Sequence, residues 1–123
     1  MKTSAPPFPP KWAWHHRTLT RLHAGLLAAR REHAAETRQP HERGGADAVD
    51  FTEGELELRD LRAELAHEES ALTEVEAALR RLHDGRYGIC EDTGARIPAA
   101  RLRALPWTRF TRAAAQRREA AAH

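Results

Sequence analysis

Residues 85–114 read GRYGICEDTGARIPAARLRALPWTRFTRAA, the skeleton of a small zinc knuckle from which most metal ligands have been removed. A closed tetrahedral zinc site uses two C-x2-C pairs, each a tight turn gripping one side of the ion. Here those pairs fall at Cys90/Thr93 and Thr111/Ala114, with seventeen residues between Thr93 and Thr111, and only Cys90 carries a thiol. One thiolate, two hydroxyls and a methyl group do not close a zinc cage, so zinc is expected to be absent and no other cofactor is indicated. Compensation is expected from apolar side chains, which are dense in this stretch: Tyr87, Ile89, Ile97, Leu102, Leu105, Pro106, Trp107 and Phe110. A side chain of that size contributes about 1.5–3 kcal/mol when fully buried. Trp12 and Trp14 are expected to join them, Gly88 and Gly94 to take positive φ, and the Thr93 and Thr111 hydroxyls to serve turn amides.

Upstream of this segment lie two helical patterns with the three-four spacing of a coiled coil. The first runs Trp12, His15, Leu19, Leu22, Leu26, Ala29, His33, Glu36, and the second Leu58, Leu61, Leu65, Glu68, Leu72, Val75, Leu79, Leu82. Gln39-Pro40-His41-Glu42-Arg43-Gly44-Gly45 interrupts them with proline and paired glycines, which predicts an antiparallel hairpin. Heptads alone are equally compatible with a passive scaffold or a dimer seam. The expected architecture is mainly α: a long antiparallel coiled-coil hairpin and a small globular body with the degenerate zinc-finger-like segment and a C-terminal helix. Boundaries follow at a flexible Pro-rich N-terminus (1–11), the hairpin (12–84, tip near 40–53), the finger-like segment (85–114) and the helix end (115–123).

The net charge of +2 hides a strong polarity along the chain. Residues 1–46 carry +5, residues 47–84 carry −8, and residues 85–123 carry +5. A basic body with an acidic arm disfavours indiscriminate nucleic-acid binding, since phosphate repels the arm. A single cysteine argues against a secreted disulfide scaffold. No apolar run is long enough for a membrane span or signal peptide, so a cytoplasmic protein is expected. Eight scattered histidines form no ligand pair with Cys90, and no nucleophile-base pattern marks an enzyme.

With Tyr87-Gly88-x-Cys90, Gly94, Ile97, Arg101-Leu102-x-Ala104-x-Pro106 and the seventeen-residue spacing in view, the finger segment resembles the DksA/TraR family of RNA polymerase-binding regulators. It is similar to a subgroup with Thr and Ala at the second and fourth ligand positions, and departs from that subgroup at Thr111. Counting back without gaps puts Asp47-x-x-Asp50 where the family carries its D-x-x-D-x-A tip. The resemblance implies that the hairpin enters the polymerase secondary channel and that Asp50, supported by Asp47, acts there on initiation. Thr52 replaces the tip alanine and adds a β-branched hydroxyl. Local physics offers a second reading of the same residues: Asp50 and Glu53 have the spacing of a capping box at a helix start.

The resemblance also implies a surface for guanosine tetraphosphate, where this chain places His67, Ser70, Glu74, Leu105 and Ala115. These are poor phosphate ligands, so weak or absent binding is expected. His67, Arg109 and Arg112 are candidates for docking on polymerase, although the arginines of WTRFTRAAAQRREAAAH also suit a solvated helix face. The chain is expected to act as a monomer, without sequence-specific DNA contacts or membrane attachment. Alternatives are a Gre-type transcript-cleavage factor, an inactive competitor for the channel, or a nucleic-acid binder using the Arg-rich C-terminus.

Overall fold

The computed structural model describes residues 6–38 and 48–122, with backbone alone at residues 37, 38, 48–53 and 61. A short 3-10 turn, Pro10–Trp12, leads into α1 (Ala13–Arg38), followed by α2 (Ala48–Asp84), α3 (Ala99–Ala104) and α4 (Arg112–Ala122). Among the described residues the only isolated β-bridge is the antiparallel pair Ile89 and Arg96. No described helix is long and apolar enough to cross a membrane. The chain forms two compact units, residues 24–73 and residues 1–23 with 74–123.

Within residues 24–73, α1 and α2 lie side by side as the three-four pattern requires. Leu26 and Ala29 on α1, and Leu58 and Leu65 on α2, are half-buried, and Leu72 is buried. The polar intruders of the two seams meet each other: His33 Nδ1 lies 2.8 Å from Glu68, and its Nε2 lies 3.3 Å from Glu64. These carboxylates raise the His33 pKa, the Glu68 contact being the largest influence. Opposed charge lets the seam pass through two polar positions where a leucine pair would otherwise stand. Glu36, expected to extend the seam, is exposed, so the packed stripe of α1 stops one step earlier. The Leu61 side chain lies outside the described residues.

The other unit holds the core. Leu19 of α1 and Val75, Ala78 and Leu82 of α2 are all buried, while His23 meets Glu76 at 2.9 Å. Trp12 stands edge-on to Tyr87 at 4.8 Å and to His15 at 5.0 Å. Trp14 also meets His15 edge-on, and the Arg103 guanidinium lies 4.3 Å over the Trp14 ring. Burial, helped by the Arg103 charge, lowers the His15 pKa and keeps the imidazole neutral among these rings. The end of the segment expected to be flexible is anchored: Phe8 stacks on His16 at 4.7 Å and meets His83 edge-on.

Two local expectations need correction. The second helix begins at Ala48, so Asp50 lies inside its first turn and is not the capping residue. Ile89, expected in the core cluster, is 39% exposed, whereas Tyr87, Ile97, Leu102 and Pro106 are buried. The bridge alternates sides, and burying Gly88 and Cys90 turns the residue between them outward.

Candidate functional site

The finger-like segment is built from two backbone turns. In the first, Cys90 N–H donates to Ala95 O and Gly94 N–H to Cys90 O, while Ile97 N–H reaches back to Gly88 O. The glycines that permit this are Gly88 at φ +82° and Gly94 at φ +74°, a region that costs other residues strain. Gly88 is also a packing requirement, because a Cβ there would stand 3.1 Å from the Trp12 ring. The second turn is joined to the first by Glu91 N–H donating to Arg109 O at 2.9 Å.

The four positions that the resemblance aligns with metal ligands make other contacts. Thr93 Oγ1 accepts Ala95 N–H at 3.2 Å. Thr111 immediately precedes α4, and its Oγ1 accepts Ala114 N–H at 3.3 Å, the geometry of a helix N-cap. Ala114 is fully buried. Cys90 is buried, with Sγ 3.8 Å from Thr111 Oγ1. Burial alone would push its thiol up, but the Thr93 hydroxyl and the amides of Thr111, Thr93 and Asp92 outweigh that and bring it down to about 6. These groups stabilise a thiolate and offer a metal one sulfur only. Among the described residues no cluster of three or more His, Cys, Asp or Glu could hold a metal ion. The donor set therefore does not fit zinc.

A set of side-chain donors is aimed at backbone carbonyls of residues 106–110. Arg81 of α2 is buried and donates to Trp107 O at 3.0 Å and Thr108 O at 3.3 Å. Arg101 Nε donates to Phe110 O at 2.8 Å, and Tyr87 O–H to Pro106 O at 2.8 Å. Burial lowers the Arg81 pKa, with Glu91 at 3.6 Å working against that, and raises the Tyr87 pKa. Arg118 of α4 grips both carboxylate oxygens of Asp92, at 2.7 and 2.6 Å. The heptad pattern gave no sign of Arg81, since its burial comes from residues 105–110 packing on α2 and not from the helix seam. A cation one residue before the buried Leu82 was the only available signal.

Arg109, expected to dock on polymerase, is engaged internally: it meets Glu74 at 3.3 Å, Glu91 at 3.6 Å and the Phe110 ring at 4.9 Å. Arg112 is exposed at the start of α4, and His67 is exposed on α2. Of the other positions at which the resemblance implies an alarmone surface, Ser70 is exposed, and Leu105 and Ala115 are half-buried. Asp47 lies outside the described residues. Asp50 and Thr52 fall in the first turns of α2, and their side chains lie outside the described residues.

Comparison with known proteins places these features in context. Residues 85–120 match the family model of the prokaryotic dksA/traR C4-type zinc finger. The RNA polymerase-binding transcription factor DksA of Caulobacter vibrioides is 40% identical over 65 residues, covering 53% of this chain and 42% of that protein. General stress protein 16O of Bacillus subtilis is 52% identical over 40 residues, covering 32% of this chain and 24% of that one. The matched stretches thus span less than half the length of these curated relatives. The structure of transcription factor DksA2 from Pseudomonas aeruginosa matches over 90% of both chains, with a TM-score of 0.74 and 27% identity.

Proposed function

We propose, from the match of its finger segment to the dksA/traR family model and the likeness of its fold to DksA2, that the chain is a DksA-like regulator that binds RNA polymerase in the secondary channel and modulates initiation. The supporting observation is the fold likeness across 90% of the chain, which includes the paired helices as well as the finger. In this reading the α1–α2 hairpin is the entering element, Asp50 with Asp47 is its effector, and Thr52 tempers its strength. The protein performs no chemistry of its own and works in the cytoplasm. The test is the lifetime of promoter complexes with purified polymerase. Wild type shortens it and Asp50→Asn does not. Equal shortening by both sinks the tip assignment, stimulated transcript cleavage in stalled complexes favours a Gre-type factor, and channel occupancy without an effect on lifetime favours an inactive competitor.

Two further features belong to the proposal. The body holds its shape without zinc, supported by the one-sulfur donor set and the carbonyl-directed arginines; stoichiometric zinc in the purified protein would overturn this. Guanosine tetraphosphate acts weakly or not at all, supported by Glu74, a carboxylate already paired with Arg109 and repulsive to phosphate. A several-fold gain in inhibition on adding the alarmone would contradict it.

A further inference from the structure

The two compact units carry opposite charge. Residues 1–23 with 74–123 hold fourteen Lys and Arg against six Asp and Glu, a net +8, whereas residues 24–73 hold six against twelve, a net −6. Among the described residues the exposed large apolar side chains are two, and each unit carries one: Ile89 at 39% and Leu56 at 48% exposure. Scattered single apolar residues are ordinary on protein surfaces; these two differ in their settings.

Ile89 borders two adjoining grooves. One, of about 600 Å³, is lined by Ala77, Arg80, Arg81, Arg86 and Glu91 among others. The second, of about 290 Å³, has Lys11 and Arg96 on its walls beside Trp12 and Tyr87. Among the described residues neither Arg80 nor Arg96 has a carboxylate partner, while Arg86 is paired with Asp84 at 2.9 Å and Glu91 is already shared between Arg81 and Arg109. The groove therefore presents unneutralised cations around an apolar ridge. Leu56 has the inverse setting on α2: exposed Glu55, Glu57, Asp60 and Glu64 surround it along the helix, against Arg59 and Arg62.

We propose that the chain associates weakly with a second copy of itself, the acidic Leu56 stretch of α2 from one copy docking in the basic Ile89 groove of another. The charge excess of each unit orients the encounter, and the two apolar side chains cover each other once it forms. A small contact of this kind belongs with transient interfaces, below the area of stable dimers. It is heterologous: each copy offers both a groove and a helix, so a copy that has lost one surface still offers the other.

That property supplies the test, by sedimentation velocity over a concentration series. Wild type sediments as a concentration-dependent mixture at ~0.01 M salt, where charges act over about 30 Å, and as a monomer at ~1 M, where they act over about 3 Å. The groove variant Arg80→Glu/Arg86→Glu and the helix variant Glu55→Arg/Glu57→Arg, each with wild-type circular dichroism, associate at least about tenfold more weakly alone. Mixed together they recover association, because the helix variant keeps a native groove and the groove variant a native helix. Wild type that stays monomeric at low salt, or variants that associate as wild type does, or a mixture no better than its parts, would each overturn the proposal.

Discussion

Replacing Arg81 with methionine tests whether the finger-like body is held by side-chain donors. Methionine keeps most of the apolar stem, so the change removes chiefly the guanidinium and its bonds to Trp107 O and Thr108 O. Hydrogen bonds from a charged donor contribute about 1.5–3 kcal/mol each, a gross loss of about 3–6 kcal/mol for two. Against this, the variant no longer buries a cation, the cost of which is the largest influence on the Arg81 pKa and is of similar order. What survives the cancellation is two carbonyls without donors at about 1–3 kcal/mol each, so a net loss of about 2–6 kcal/mol is expected. Urea unfolding followed by tryptophan fluorescence reads this directly, since Trp107 sits on the clasped segment. Glu91→Gln serves as the control: its contact with Arg81 is 3.6 Å and its side chain 38% exposed, so the change costs at most about 1 kcal/mol. If Arg81→Met unfolds within about 0.5 kcal/mol of wild type, the range of an ordinary surface change, the clasp does not hold the segment. If Glu91→Gln is the more damaging, the ion pair and not the carbonyl bonds carries the effect.

Gly88→Ala and Gly94→Ala share a backbone penalty of about 1–2 kcal/mol for positive φ, but only at position 88 does the new methyl meet the Trp12 ring at 3.1 Å; urea midpoints should place Gly88→Ala clearly below Gly94→Ala, and equal midpoints would refute the packing role. The raised His33 pKa adds stability that is complete below the ordinary value near 6.5 and is lost as pH rises through the higher folded value, so His33→Gln should flatten the decline of helicity above neutral pH, and an unchanged profile would contradict the pairing. For Cys90 the sign is opposite: its folded value of about 6 lies below the unfolded one of about 8.5, so stability is gained as pH rises between them. Thiolate absorbance should titrate near 6 in wild type, and Cys90→Ser should lose the slope; a thiol that titrates above 8 would show that burial outweighs the hydroxyl and amide donors.

The hairpin was legible because apolar spacing is a property of sequence: Leu19, Leu72, Val75 and Leu82 fall where the three-four pattern puts them. The meeting of His33 with Glu68 followed from the same pattern, although reading the two seams separately left each as an isolated intruder. The finger skeleton was legible through Cys90, Gly88, Gly94 and the seventeen-residue spacing, since positive φ selects glycine. The exposure of Ile89 was not, because side alternation in a two-residue bridge depends on which neighbours are buried.

The sequence by itself determined the helical hairpin and the finger register, because periodicity and turn chemistry are written locally. Only the tertiary structure decided how residues 106–110 are held: Arg81, Arg101 and Tyr87 donate to carbonyls 9 to 27 positions away. A carbonyl looks the same in every sequence, so which cation it receives is fixed only when the chain folds and leaves it no water.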